Sequence, residues 1–189
     1  MKSDRLKTIK AAILFILRNS KEEKCDIYGV VKTAFFAQQY HLSDWGTPLF
    51  DDKICALPFG PVPSDIYDIL KMARGDRSAI AFHANDGFSF VSDAICFLDE
   101  LFYAKEEPDM DWLSTSDIDS LNKAIKKVSK MSFAQIKKAT HAGEEYQRAF
   151  QTTGLRRMNE IAIAKDGGAE PPALEHLAEY MDTLRVIAQ

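Results

Sequence analysis

The sequence predicts a mainly α (α+β) fold: a compact helical domain around one central apolar helix, carrying a small antiparallel β-hairpin or sheet. Three observations predict it. Apolar residues recur at helical spacing over most of the chain, as in Leu6, Ile9, Ile13, Leu14, Ile16 and Leu17. Helix-start and helix-stop residues bracket those stretches. Two stretches, 46–64 and 79–91, drop the helical period and carry β-type residues between Gly, Pro, Asn and Asp.

The first helix spans 4–18. Asp26 reads as the cap of a second helix over 27–45, which Gly46 ends. Its first half, IYGVVKTAFFA, is apolar nearly all round with Lys32 as its one charge, the composition of a helix walled by others. Its second half, QQYHLSDWG, turns polar and aromatic and is expected to emerge at the surface. Residues 46–64 hold Leu49, Phe50, Ile54, Leu57 and Phe59 among Pro48, Pro58, Pro61 and Pro63; the prolines restrict the segment to an edge strand or extended arm. A helix then starts at Ser64 or Asp65, where a side-chain oxygen can satisfy a free N–H, and stops at Gly75.

Residues 79–91 alternate around Asn85-Asp86-Gly87, which predicts a hairpin. Four helices follow: 94–105, capped by Ser92 or Asp93; 117–130, with Ser116 and Asp119 as a capping box; 133–142, with Ser132 and Gln135 as a better one; and 144–151, ended by Gly154. A short amphipathic segment from Arg156 meets Gly167-Gly168 and Pro171-Pro172, and a last helix covers 173–187. That break divides the chain into a main domain over 1–154 and a C-terminal helical tail over 155–189.

At 189 residues, 46% hydrophobic and 28% charged, the chain has the composition of a soluble globular domain. The net charge of −4 argues against general phosphate binding. Cys25, Cys55 and Cys96 are widely spaced with no CxxC pair, as in a reduced, intracellular protein. No Cys or His pair has ligand spacing, so neither a metal nor another cofactor is expected. The N-terminus shows no Ala-x-Ala cleavage signal and no apolar run reaches membrane length, so a cytoplasmic location is expected.

Motifs for catalysis are sparse: no phosphate-cradling glycine loop, G-x-S-x-G or H-E-x-x-H is present. His141 with Glu144 or Glu145 is the best acid–base candidate, against the plainer reading of a histidine at a helix C-terminus. His41 with Asp44 reads as a surface pair; His83 and His176 have no partner in sequence. Lys123, Lys126, Lys127, Lys130, Lys137 and Lys138 form the one basic concentration, more simply a solvated helix face, though one that could meet an acidic partner. The stretch CALPFGPVPSDIYDIL, residues 55–70, packs prolines and glycine among Trp45, Phe50, Phe59 and Tyr67. It reads equally as a rigid connector and as a low-entropy recognition surface.

The segment from VVKTAFFAQQYHLSDWGTPLF through LPFGPVPSDIYDIL resembles the Panacea domain, the SocA- and GepA-like family of toxin–antitoxin operons and prophages. Lys32 to Ala37, His41-Leu42, Gly46, Pro48-Leu49-Phe50, Phe59-Gly60-Pro61-Val62 and Tyr67 carry the resemblance, which covers 25–150. The later SFAQIKKATHAGEEYQRAF is similar to the family's closing segment, with His141 at its histidine and Tyr146 where Trp is usual. Thr33-Ala34-Phe35 and Pro58 depart from the pattern. The resemblance implies an antitoxin, with no catalytic residues, that neutralises a nearby-encoded toxin by direct contact. At least one relative is instead an adaptor that delivers its toxin to a protease; a phage-associated enzyme using His141 with Glu144 or Glu145 is the other alternative. The partner-facing residues expected are Trp45, Phe50, Phe59, Gly60, Pro61, Val62, Pro63 and Tyr67, with His41 and His141.

Overall fold

The computed structural model describes residues 2–187. Helix α1 (Lys2–Asn19) and helix α2 (Ile27–Trp45) supply the centre, joined by a 3-10 turn and the short strand β1 (Lys24–Cys25). The Asp26 carboxylate accepts the Gly29 N–H at 2.6 Å, and Gly46 closes α2 with φ 64. As the sequence predicts, α2 is buried nearly all round, from Gly29 through Gln38, and packs chiefly on helix α6 (Thr115–Val128). Its second half does not emerge as expected. His41, Leu42 and Ser43 are buried too, and only Asp44 and Trp45 are exposed.

Beyond α2, strands β2 (Ile54–Leu57) and β3 (Gly60–Pro63) form an antiparallel hairpin, with Leu57 opposite Gly60 and Ile54 opposite Pro63. Pro61 and Pro63 lie on β3, at the edge of the hairpin, where a missing N–H can be spared; Pro58 sits in the turn. Helix α3 (Ser64–Ala73) follows, but neither Ser64 nor Asp65 caps it. Asp52, thirteen residues before Asp65, reaches across to accept the N–H groups of Asp65 and Ile66 at 3.0–3.1 Å. Burial, and then the neighbouring Asp65 charge, push the Asp52 carboxyl up to about 7.

The region 77–104 reverses the expected order of elements. The predicted hairpin is helical: α4 (Arg77–Phe82) and α5 (Ser89–Ser92). Asp76 caps α4 through the Ser78 and Ala79 N–H groups, and Asp86 is held by His83 Nδ1 at 2.8 Å. His83, expected to lack a partner, also meets Asp68 through Nε2 at 3.0 Å and stacks on Phe88. The predicted helix 94–105 is instead a hairpin of β4 (Ile95–Leu98) and β5 (Leu101–Ala104), and β5 pairs with β1 into a sheet of order β1-β5-β4. Its two-residue turn is Asp99-Glu100, both at positive φ (51 and 63). Such a turn usually carries Asn or Gly, and the Asp-Glu pair hides it.

Helix α6 starts two residues earlier than predicted, on a capping box of Ser114 and Asp117 rather than Ser116 and Asp119. The Ser132 and Gln135 box of helix α7 (Phe133–His141) stands as read, and helix α8 (Glu144–Gln151) follows. Helices α9 (Glu160–Asp166) and α10 (Pro171–Ile187) pack on the core, burying Ile163, Ala164 and Leu177 completely. Residues 156–158 run along the free edge of β2, with Ala56 N–H donating to Arg156 O and Met158 N–H to Ile54 O, both at 2.8 Å. The hairpin edge is thereby covered. No helix among the described residues is long and apolar enough to cross a membrane.

Candidate partner-binding site

The β2–β3 hairpin is clasped from two sides. On one side the Lys32 ammonium, 1% exposed at the heart of α2, donates to Pro61 O at 2.6 Å. On the other, the buried Tyr146 hydroxyl of α8 donates to Leu57 O at 2.9 Å. Thr140 of α7, whose hydroxyl donates to Ile136 O, closes over Gly60. Residues scattered from 32 to 146 therefore meet at one turn. No carboxylate is paired with Lys32 among the described residues, and burial pushes its ammonium down to about 7. Tyr146→Phe keeps the ring and removes the bond to Leu57 O; a loss of ~1–2 kcal/mol is expected in denaturant unfolding.

This clasp fixes the turn and leaves its tip in solvent. Phe59 is 61% exposed, and its ring centroid lies 6.3 Å from that of Phe133, itself 52% exposed at the start of α7. Tyr28 packs against Phe133 in a tilted arrangement, ring centroids 4.5 Å apart. The three rings form an aromatic ridge across α2, the hairpin tip and α7. On one flank lies a largely apolar notch of about 250 Å³ between Ile27, Leu57, Phe59 and Tyr67, with Lys32 and Tyr28 in its wall. On the other is a groove of about 450 Å³ lined by Cys25, Val128, Met131 and Phe133.

The predicted partner-facing residues divide sharply. Phe59 is on the surface, Tyr67 lines the notch, and Trp45 is half exposed at the far end of α2. Phe50 is 1% exposed: its carbonyl and N–H bond the Gln38 amide, and its ring is core. Gly60, Pro61, Val62 and Pro63 are buried as well and hold the tip in place, while Gly60 and Val62 also line the notch. His41 is 5% exposed and pairs with Thr47 O and Asp117, while Asp44 is taken by Lys123 at 2.5 Å; the expected His41–Asp44 pair does not form.

His141 and its glutamates are not brought together as an acid–base pair. Its ring packs on Tyr146 at 4.4 Å. Burial would raise the Glu145 carboxyl, but Arg148 with two bonds of 2.6 Å and the Asn159 N–H hold it low. Glu144 is exposed. Burial first, then Lys137 and Lys32, hold the His141 imidazole below its ordinary value. The lysine concentration is not one solvated face: Lys123 pairs with Asp44, Lys127 covers the Phe36 ring at 4.1 Å, and Lys137 covers Phe59 at 5.6 Å. Phe133, Tyr28 and Lys32 went unsingled in the sequence as site residues. The available signal was the lone charge in an otherwise apolar helix.

Fold and site together define a mainly helical protein that presents an aromatic ridge on a hairpin locked by its own core. A family model for the antitoxin SocA-like Panacea domain matches residues 30–146, more than half of the chain, and the chain belongs to that family. The matched span runs from the first turn of α2 to Tyr146 and so takes in Lys32 and Tyr146, the two sides of the clasp. Searches of curated proteins and of solved structures find no match.

Proposed function

We propose that the chain is an antitoxin that neutralises a cognate protein toxin by direct contact through the Tyr28–Phe59–Phe133 ridge. Family membership supports the toxin–antitoxin role. The observation that carries the surface is the pair of adjacent, largely exposed phenylalanines held on rigid elements. Aromatic rings fixed in advance lose little entropy on binding and are favoured at the energetic centre of interfaces. Buried polar groups spend themselves on holding the turn, which is what a preorganised binding tip requires.

The test is rescue. The product encoded beside this chain is expected to arrest growth alone and to be harmless when co-expressed with it. Phe59→Asp with Phe133→Asp is expected to remain folded by circular dichroism and to weaken binding at least a hundredfold, abolishing rescue. A folded double variant that still protects removes the ridge as the interface.

A further inference from the structure

We propose that the notch behind Phe59 receives a carboxylate on an apolar stem, the side chain of an acidic residue of the protein partner. This rests on the reading of the ridge as the partner surface and names the chemistry of the group that enters it.

Three features of the notch point the same way. Its wall is apolar apart from two donors, the Lys32 ammonium and the Tyr28 hydroxyl. Lys32 has Pro61 O as its one hydrogen-bond acceptor among the described residues, which leaves two ammonium hydrogens to place. The Tyr28 hydroxyl is buried and has no hydrogen-bond partner among the described residues. Buried donors left unmet are costly, and a carboxylate with two acceptor oxygens answers both.

Charge agrees with this. Lys137 lies over the ring of Phe59, one wall of the notch, and has no ion-pair partner among the described residues. Residues 123–138 contain six lysines and no acid, although the whole chain carries −4. Burial first, and then the positive charges of Lys137 and Lys32, hold the His141 imidazole below its usual range, so both lysines are felt at this end of the hairpin. An apolar stem fits the notch, and the field at its mouth draws an acid towards it. No arginine occurs in 123–138, and the cleft is apolar, so a single carboxylate suits it better than a nucleic-acid backbone.

The probe is 3-phenylpropionate, with its neutral amide as the control, titrated into the isotope-labelled full chain and followed by NMR. The acid is expected to saturate while moving Tyr28, Lys32 and Phe59 signals, and to bind at least fivefold more tightly than the amide. Lys137→Gln is expected to reduce the acid to the level of the amide. Equal affinity of acid and amide, or acid-induced shifts spread over Lys126, Lys130 and Lys138, overturns the proposal. So does single-stranded RNA that displaces the acid and binds more tightly. In the rescue assay, Lys137→Glu is expected to lose protection while Lys126→Glu keeps it; equal behaviour of the two removes the partner's acid from the notch. The titration contains no toxin, so a failed rescue and a failed titration are separate results.

Discussion

Gly60→Ala is expected to destabilise the chain by ~3 kcal/mol, from two additive causes. Gly60 has φ +100, a backbone conformation that an L side chain adopts at a cost of ~1–2 kcal/mol. A Cβ there would also lie 2.7 Å from Thr140 Oγ1 and 3.0 Å from Lys32 Nζ. Neither neighbour retreats easily. The Thr140 hydroxyl is bonded to the carbonyls of Ile136 and Lys137, and the Lys32 ammonium is bonded to Pro61 O. Overpacking of this kind adds ~1–3 kcal/mol. In a domain of this size the sum lowers Tm by ~6–12 °C. Gly154→Ala is the control, since Gly154 has φ +88 and open space around it, so the substitution meets backbone strain alone. Thermal unfolding of the two variants side by side measures the clasp; equal losses would mean that the turn is not held tightly between α2 and α7.

Gly60 also shows which parts of the molecule were legible in its sequence. Signals that act over three or four residues read correctly. Asp26 and Gly46 bounded α2, and Ser132 with Gln135 started α7, because a cap is a local hydrogen bond between a side chain and the nearest free N–H. Residues 79–105 misled for the same reason. Asp86-Gly87 offers a hairpin turn, yet Asp86 is claimed by His83, which Asp68 holds from another helix. Asp99-Glu100 offers little, yet it turns a hairpin because β1 pairs with β5. Long-range pairing overrode a weak local preference in both places. The candidate site was half legible. Prolines, glycine and aromatics in 55–70 marked the hairpin, and family resemblance placed Tyr146 in the same signature. What the sequence could not express is that Pro61 and Val62 face inwards, or that Phe133, from 74 residues further on, completes the ridge with Phe59.

Lys32 gives the second large effect, read as a dependence of stability on pH. Burial holds its ammonium at about 7 in the folded chain, against an ordinary value of 10.5. Between those two values the unfolded chain binds more protons at this site than the folded one, so stability rises with pH across the window, by up to ~1.4 kcal/mol per pH unit. Above 10.5 the contribution is complete, and it is lost as pH falls towards 7. Lys32→Met removes the titration and leaves Pro61 O without its donor, a penalty that does not vary with pH. Above pH 7 the difference in unfolding free energy between the two proteins reports Lys32, because Asp52 and Cys25 contribute equally to both and His141, which Lys32 helps to hold below 6.5, is already neutral there. Denaturant unfolding at pH 6, 7, 8 and 9 is the measurement. At pH 6 the variant is expected to match or exceed the wild type, since it no longer buries an unpaired cation. By pH 9 the order is expected to reverse, with the wild type gaining ~2 kcal/mol relative to the variant between pH 7 and 9. A difference that stays flat from pH 6 to 9 would show that Lys32 has an ordinary pKa and that the cation behind Phe59 is already neutralised within the fold. The same curve bears on the partner's carboxylate: seating an acid beside Lys32 favours the charged amine, so complex formation near pH 8 is expected to take up a proton.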